Sequence, residues 1–257
     1  MPQLNLLLRL ALNRQAFTLI YANMNTPEHQ KIADFYDHIY YRDVSSDLRP
    51  SAHLTRLADH IHILPGQHVL DVACGTGAWL ATAARRGAII SGIDLSKTAI
   101  DVCQQRLPES DLHVGPAETL PFPDNTFDVV SCLGSLEHFL DQPLAVREMA
   151  RVAKPDAQIL ILVPNAGFLP YRMKLYTGTH QQAAQETIRS LDEWKELLQN
   201  AGLQVEDRWK DLHILSRAWI FRRPWFVMPF RLLQALALPA WPLSWQYQVY
   251  HLCRNRA

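Results

Sequence analysis

Val69-Leu70-Asp71-Val72-Ala73-Cys74-Gly75-Thr76-Gly77, together with Asp94 at the end of the next apolar run, is the stretch on which the fold turns. Residues 69–72 read as a buried strand, and residues 78–86 read as the helix that follows it. Between them, Gly75 and Gly77 let the backbone turn sharply and approach a ligand closely. Residues 88–93 form a second apolar strand, and the carboxylate of Asp94 at its end is placed to accept hydrogen bonds from two ribose hydroxyls. Strand, glycine turn, helix, strand and terminal acid in this order indicate a nucleotide-like cofactor against the first strand of an α/β sheet.

A dinucleotide site normally carries a third glycine three residues after the second, which allows the helix to pack closely on the strand. Leu80 occupies that position, and Asp71 opens the turn with a carboxylate suited to a cation and unsuited to a diphosphate. Both features disfavour a nicotinamide-dependent oxidoreductase.

The Asp71-Val72-Ala73-Cys74-Gly75-Thr76-Gly77 run resembles the class I S-adenosylmethionine-dependent methyltransferases, particularly the group that includes the quinone-biosynthesis methyltransferases. The resemblance extends over residues 34–203. It implies that Asp71, Ala73, Cys74, Gly75 and Gly77 wrap the methionine end of S-adenosylmethionine, and that Asp94 and Leu95 hold the ribose. It also implies that Ala117 and Glu118, in the run from Gly115 to Asp128, lie on the adenine side. Leu133-Gly134-Ser135-Leu136-Glu137-His138-Phe139 matches the segment beside the transferable methyl, with Leu133 against the cofactor. Arg151-Val152-Ala153-Lys154-Pro155 matches the lead into the fifth strand, read here at residues 158–163. Two departures stand out. Pro116 replaces the aspartate that in many relatives accepts a hydrogen bond from the adenine amino group, so that contact is lost, weakened, or supplied by backbone or Glu118. Asp156-Ala157 replaces a Gly-Gly turn away from the cofactor.

Within the 257 residues, 48% are hydrophobic, enough to bury a full core in one elaborated domain. The formal net charge is zero, which gives no global case for nucleic-acid binding. The segment after strand four also lacks the Asn- or Asp-Pro-Pro-Tyr signature of amino-directed nucleic-acid enzymes. Charge is unevenly spread: Asp and Glu are absent from residues 212–257, which contain Arg217, Arg222, Arg223, Arg231, Arg254 and Arg256. The first 27 residues hold Arg9 and Arg14 and no acid. Cys74, Cys103, Cys132 and Cys253 show no Cys-x-x-Cys spacing and read as reduced thiols, which points to the cytoplasm. The N-terminus lacks the pattern of a signal peptide, and no apolar run reaches the roughly 20 residues of a spanning helix.

The expected fold is a Rossmann-like, seven-stranded, mostly parallel sheet with helices on both faces. An N-terminal helical cap (residues 1–50) precedes the S-adenosylmethionine-binding core (51–215), an apolar and basic insertion (216–244) follows, and a final edge strand (245–257) completes the sheet. In the cap, residues 4–24 suit an amphipathic helix, and residues 28–40 a second one. Its aromatics Phe35, Tyr36, Tyr40 and Tyr41 either line the cofactor and substrate mouth or pack the helix onto the core. Residues 190–202 read as a helix capped by Ser190 and Glu193 and stopped by Gly202. The last two strands, at 203–209 and 246–253, pair antiparallel by resemblance. Between them the insertion carries Trp219, Phe221, Trp225, Phe226, Phe230 and Trp241 beside its arginines, a composition that must cover something. A lid over an apolar substrate, a homodimer contact and a docking surface on the inner face of a membrane all satisfy it, and the acid-free termini favour the membrane.

Methyl transfer from a sulfonium needs an in-line nucleophile about 3 to 3.5 Å from the methyl, and the leaving group departs neutral without an acid. His138 is the candidate base for a hydroxyl acceptor; its alternative role is to organise the loop. Glu137 with His138 alone supplies too few ligands for a metal, and His113, His180, His213 and His251 show no ligand spacing, so no metal is expected. Tyr36, Tyr40, Asn165, Tyr171 and Arg172 are the candidate substrate contacts, the last three because they follow the fifth strand at the ligand-binding edge of the sheet. These residues predict a methyltransferase acting on a small or lipid-linked acceptor, with O-methylation favoured over C- or N-methylation. The competing reading is a non-catalytic protein of the same fold that serves as a scaffold or membrane-recruited partner.

Overall fold

β1 (His68–Val72) is buried from its second residue onward, Asp71 included, as befits a central strand of a parallel sheet. The computed structural model describes residues 26–41, 51–173, 186–213, 220–221 and 223–256. The helix expected at 4–24 lies outside them, as do His180, Arg217, Trp219 and Arg222.

Among the described residues, two short helices precede β1. α1 (Pro27–Phe35) continues as a π-turn over Tyr36–Tyr40, and α2 (Ala52–His60) starts at Ser51, whose side chain accepts from the backbone of His53. After β1 come α3 (Ala78–Ala84), β2 (Ile89–Asp94), α4 (Lys97–Arg106), β3 (Asp111–Val114) and β4 (Phe127–Leu133). α5 (Gln142–Val152), β5 (Ala153–Pro164), α6 (Leu191–Asn200), β6 (Leu203–Lys210), α7 (Met228–Ala237) and β7 (Gln248–Asn255) complete the order, with a short helical turn at Leu169–Arg172. Ser190 and Glu193 form the expected reciprocal capping box on α6.

The sheet order is β3-β2-β1-β4-β5-β7-β6. The first five strands pair in parallel, and β7 runs antiparallel to both β5 and β6. This corrects one expectation: the last strand in the sequence is an interior strand, and β6 is the edge. The burial of the two strands explains the exchange. Val249, Tyr250, His251 and Cys253 of β7 are all buried, whereas β6 alternates with exposed Gln204, Glu206 and Asp207. β5 begins earlier than the apolar run suggested, because Ala153 pairs with Phe127 before a register shift brings Gln158 opposite Val129.

Strand alternation divides the core into two layers. Leu70, Val130, Ile159 and Ile161 face α5 and α6, packing with Met149, Trp194 and Leu198. Val69, Val129, Leu160 and Leu162 face the other way, toward Leu57, Ile61, Trp79 and Leu80. All four cysteines are buried and free.

Candidate functional site

The C-terminal ends of β1, β2 and β4 surround a cavity of about 330 Å³. The chain leaves β1 through three left-handed residues, Ala73 (φ 61°), Gly75 (φ 52°) and Gly77 (φ 82°). The glycines were legible as turn residues, but the strained position is Ala73, where a Cβ opposes the conformation. The turn is closed by Asp94: its Oδ2 accepts from the Gly75 backbone at 2.8 Å and its Oδ1 from the Ser96 backbone at 2.8 Å. Glycine turn and strand-end acid are therefore one hydrogen-bonded unit.

Asp71 is buried and accepts from the Ser131 hydroxyl at 2.7 Å; Ser131 in turn accepts from the Trp79 indole at 2.9 Å. Burial pushes the Asp71 carboxyl up to about 7, against the Ser131 hydrogen bond that lowers it and with the nearby Asp94 charge that raises it further. Burial likewise pushes Asp94 up to about 6, opposed by the backbone donors of Ser96 and Gly75. Two buried carboxylates in one cavity are costly unless a cation or several donors meet them. A ligand that brings a sulfonium, an ammonium and ribose hydroxyls supplies both, so these residues fit S-adenosylmethionine.

On the third side, Gly115, Pro116, Ala117 and Glu118 line the cavity from the loop after β3. Arg151 holds that loop, donating to the carbonyls of Leu120 and Phe122 and to Glu148, which itself accepts from the Leu120 backbone. Glu118 is buried; its Oε1 accepts from the Asp141 backbone at 3.1 Å and its Oε2 lies 3.5 Å from His29 Nε2. Pro116 brings no side-chain acceptor to this wall.

The cap forms the roof. Tyr36, Tyr40 and Tyr41 line the cavity, with Tyr36 and Tyr40 edge to face at 5.5 Å and Tyr40 and Tyr41 at 4.9 Å. A Cβ on Gly75 would come within 2.8 Å of the Tyr41 hydroxyl, which puts that phenol directly over the turn. Burial, then the Asp94 charge, raises the pKa of Tyr36 and Tyr41, so both remain neutral donors. Asp37 fastens the roof, accepting from the Ser96 hydroxyl and from the Thr98 backbone at 3.1 Å.

His138 lies in a 3-10 turn (Leu136–His138) after β4, is buried and lines the cavity. Beside it, Glu137 is buried and pushed up to about 8, chiefly by burial, and its Oε2 has no hydrogen-bond partner among the described residues. The sequence reading counted this pair alone. The structure adds Glu186, drawn in where Thr187 donates its backbone N–H to the Glu137 carbonyl at 2.9 Å. Ligand atoms of Glu137, His138 and Glu186 lie within 4.8 Å of one another, a set chemically suited to a divalent cation.

Asp71, Ala73, Cys74, Gly75, Asp94, Leu95, Ala117, Glu118, Leu133, His138, Tyr36 and Tyr40 thus converge on one cavity, together with Trp79, Phe139 and Leu54, which sequence reasoning passed over. Four candidates are outside it. Gly77 is a packing glycine: a Cβ there would collide with the Cys103 thiol of α4. Asn165 is not a substrate contact, because its side-chain amide is buried, donates to the carbonyls of Ser244 and Gln246 at 2.9 and 3.0 Å, and accepts from the Gly167 backbone at 2.9 Å. Tyr171 packs against Phe168 and Tyr247, and Arg172 follows it in the same helical turn, away from the cavity wall.

Residues 70–161 match a family described as methyltransferase domain. The ubiquinone biosynthesis O-methyltransferase of Coxiella burnetii is 30% identical over 161 residues, covering 56% of this chain and 66% of that protein. The demethylmenaquinone methyltransferase of Bacillus licheniformis is 34% identical over 152 residues, covering 57% of this chain and 60% of that protein. The chain thus spans just under two thirds of the length of these relatives. The demethylmenaquinone methyltransferase of Anoxybacillus flavithermus is 30% identical over 201 residues, covering 67% of this chain and 84% of that protein. Among solved structures, the Haloferax volcanii complex of the Trm112 methyltransferase activator with a putative methyltransferase matches with TM-score 0.62 at 19% identity, over 90% of this chain and 98% of the other. The [4+2]-cyclase SpnF matches with TM-score 0.62 at 20% identity, again over 90% and 98%. At such identities the structural likeness shows the fold alone, and a cyclase among the neighbours illustrates that the fold does not fix the reaction.

Proposed function

The chain belongs to the class I S-adenosylmethionine-dependent methyltransferases, and we propose that it moves a methyl group onto a quinone-related acceptor, small or lipid-linked, at an oxygen in preference to carbon or nitrogen. The observation that carries the reading is the convergence of Asp71 and Asp94, both buried and both with raised pKa, on a cavity that also holds His138.

When bound, S-adenosylmethionine supplies an electrophilic methyl on a cationic sulfur. Asp71 and Asp94 would balance its charge and bind its hydroxyls, beside the turn at Gly75. Tyr36, Tyr40, Trp79 and Phe139 give the rest of the cavity an aromatic wall suited to a flat, apolar ring. His138 accepts the proton of an acceptor hydroxyl as the oxygen–methyl bond forms, which contributes about 10²- to 10⁴-fold for a positioned base. The acceptor reaches the site from a membrane face, although no helix among the described residues is long and apolar enough to cross one.

Labelled S-adenosylmethionine incubated with the protein and with separated lipid and aqueous extracts tests the whole reading. Label is expected in quinone-type lipids. Calorimetric binding of S-adenosylmethionine with no label in either fraction would replace the enzyme by a scaffold, and no binding would remove the cofactor assignment.

A further inference from the structure

Helix α7 is amphipathic in the reverse of the usual sense. Phe230, Leu233 and Leu236 are 73%, 65% and 72% exposed, and Phe226, just before the helix, is 77% exposed. Arg231 and Gln234, the polar residues of the helix, are half-buried, as are Met228 and Ala235. A ten-residue helix kept in water would turn the polar residues outward and the apolar ones in. Among the described residues the principal neighbours of α7 are the 3-10 turns at either end of it, and its apolar face is largely open to solvent.

Its mooring fixes where that face lies. Leu238, at the end of the helix, is buried, and Lys210 at the end of β6 donates to the carbonyls of Leu238 and Pro239. Asn165, after β5, holds Ser244 and Gln246. β5 and β6 are both antiparallel to β7, so their ends lie on the same edge of the sheet as the ends of β1 and β2, where the cavity opens. No residue of α7 lines that cavity, which argues against a closed lid.

We infer that Trp225, Phe226, Phe230, Leu233 and Leu236 form a docking surface that inserts into the headgroup and acyl boundary of an anionic bilayer. At about 15 Å long, the helix suits lying flat at the interface and is far too short to span it. Charge selects the occupant: no Asp or Glu occurs anywhere in residues 212–257, while Arg223 sits exposed beside Trp225. Anionic headgroups complement such a segment, whereas a second copy docked through the same patch would set arginine against arginine. The docked face and the cavity share an edge, so a membrane-borne acceptor would enter without leaving the bilayer surface; that last clause rests on the proposed acceptor, while the docking surface does not.

Co-sedimentation with phosphatidylcholine vesicles, with and without phosphatidylglycerol, tests the surface in the absence of any acceptor. The wild-type chain should pellet with the phosphatidylglycerol vesicles at low salt, with a blue shift of tryptophan emission. The variant F226S/F230S/L233S/L236S should lose roughly tenfold or more in partitioning. All four side chains are solvent-exposed, so its circular dichroism and its calorimetric binding of S-adenosylmethionine should match wild type. Wild type that stays in the supernatant, or a quadruple variant that binds as well, overturns the proposal. So does a wild-type dimer that ignores vesicles and falls to monomer in the variant, which would assign the patch to a second copy. Loss of cofactor binding in wild type would leave vesicle binding intact and sink only the methyltransferase reading.

Discussion

Asp37 of the cap accepts a hydrogen bond from the hydroxyl of Ser96, two residues beyond Asp94, and so ties the aromatic roof to the end of the cavity that Asp94 closes. The same carboxylate accepts from the Thr98 backbone, and Ser96 in turn caps α4 through the Ala99 N–H at 3.0 Å. Replacing Asp37 by Ala frees the roof without substituting any residue that lines the cavity. The affinity for S-adenosylmethionine should fall by roughly 3- to 10-fold, the scale of a partly solvated hydrogen bond to a charged group. Amide exchange over residues 26–41 should speed up. Unchanged exchange there would show that Asp37 does not hold the cap.

Asp94→Ala removes the acceptor that closes the Gly75 turn and that we propose meets the ribose. Cofactor affinity should drop by roughly 1.5 to 3 kcal/mol. With its carboxyl pushed up to about 6, the wild-type affinity should also weaken as pH falls through that value. An affinity flat from pH 5 to 8 would remove Asp94 from the site.

Asp71 makes the free protein less stable as pH rises. Its folded carboxyl titrates at about 7 against an unfolded value near 3.8, so the folded chain holds a proton that the unfolded chain has lost between those values. Stability therefore falls as pH climbs from about 4 to 7. Asp71→Asn removes that loss and should be more stable than wild type by roughly 1 to 3 kcal/mol at pH 8, with a much smaller gain at pH 5. Its affinity for S-adenosylmethionine should fall. Urea melts of both proteins at the two pH values check the sign.

Much of this site was legible because local pattern and chemistry coincide in it. The apolar runs of β1, β2 and β4, the glycine turn and the strand-end acid all lie within short windows, and Ser190 with Glu193 announces its own helix. The failures share a physical cause, since each depends on partners far along the chain. Asn165 reads as a free loop amide until the carbonyls of Ser244 and Gln246 fold against it. Nothing near Glu118 foretells His29, and nothing near His138 foretells Glu186. The packing constraint on Gly77 was hidden for a related reason. Sequence shows that a residue lacks a Cβ, and only packing shows whether a ligand or Cys103 needs the space.

Gly77→Ala puts a Cβ at φ 82° and into the Cys103 thiol. A cost of roughly 1 to 3 kcal/mol is expected from backbone strain and overpacking. For a chain of this size each kcal/mol lowers Tm by about 2 to 4 °C. Pairing it with Cys103→Ala should recover part of the loss, because the smaller side chain vacates the space. A double variant no better than the single would place the whole cost in the backbone.

His138→Ala should reduce kcat by about 10²-fold or more on a hydroxyl acceptor while leaving the Kd of S-adenosylmethionine within twofold or so. Its residual activity should rise with pH, since the acceptor must then lose its proton to solvent. Equal loss of cofactor binding and turnover would instead make His138 a structural member of the turn that carries it.

The interior position of β7 has a consequence for synthesis. Residues up to 210 contain every strand that shapes the cavity, so β1 through β5 can assemble while translation continues. β6 cannot join them, because its only neighbour among the described strands is β7, made after the whole segment carrying Trp225, Phe226 and α7. A nascent chain therefore exposes its aromatic, arginine-bearing stretch while β5 and β6 still have open strand edges, and a bilayer that captured this stretch early would shield the chain until the sheet closed.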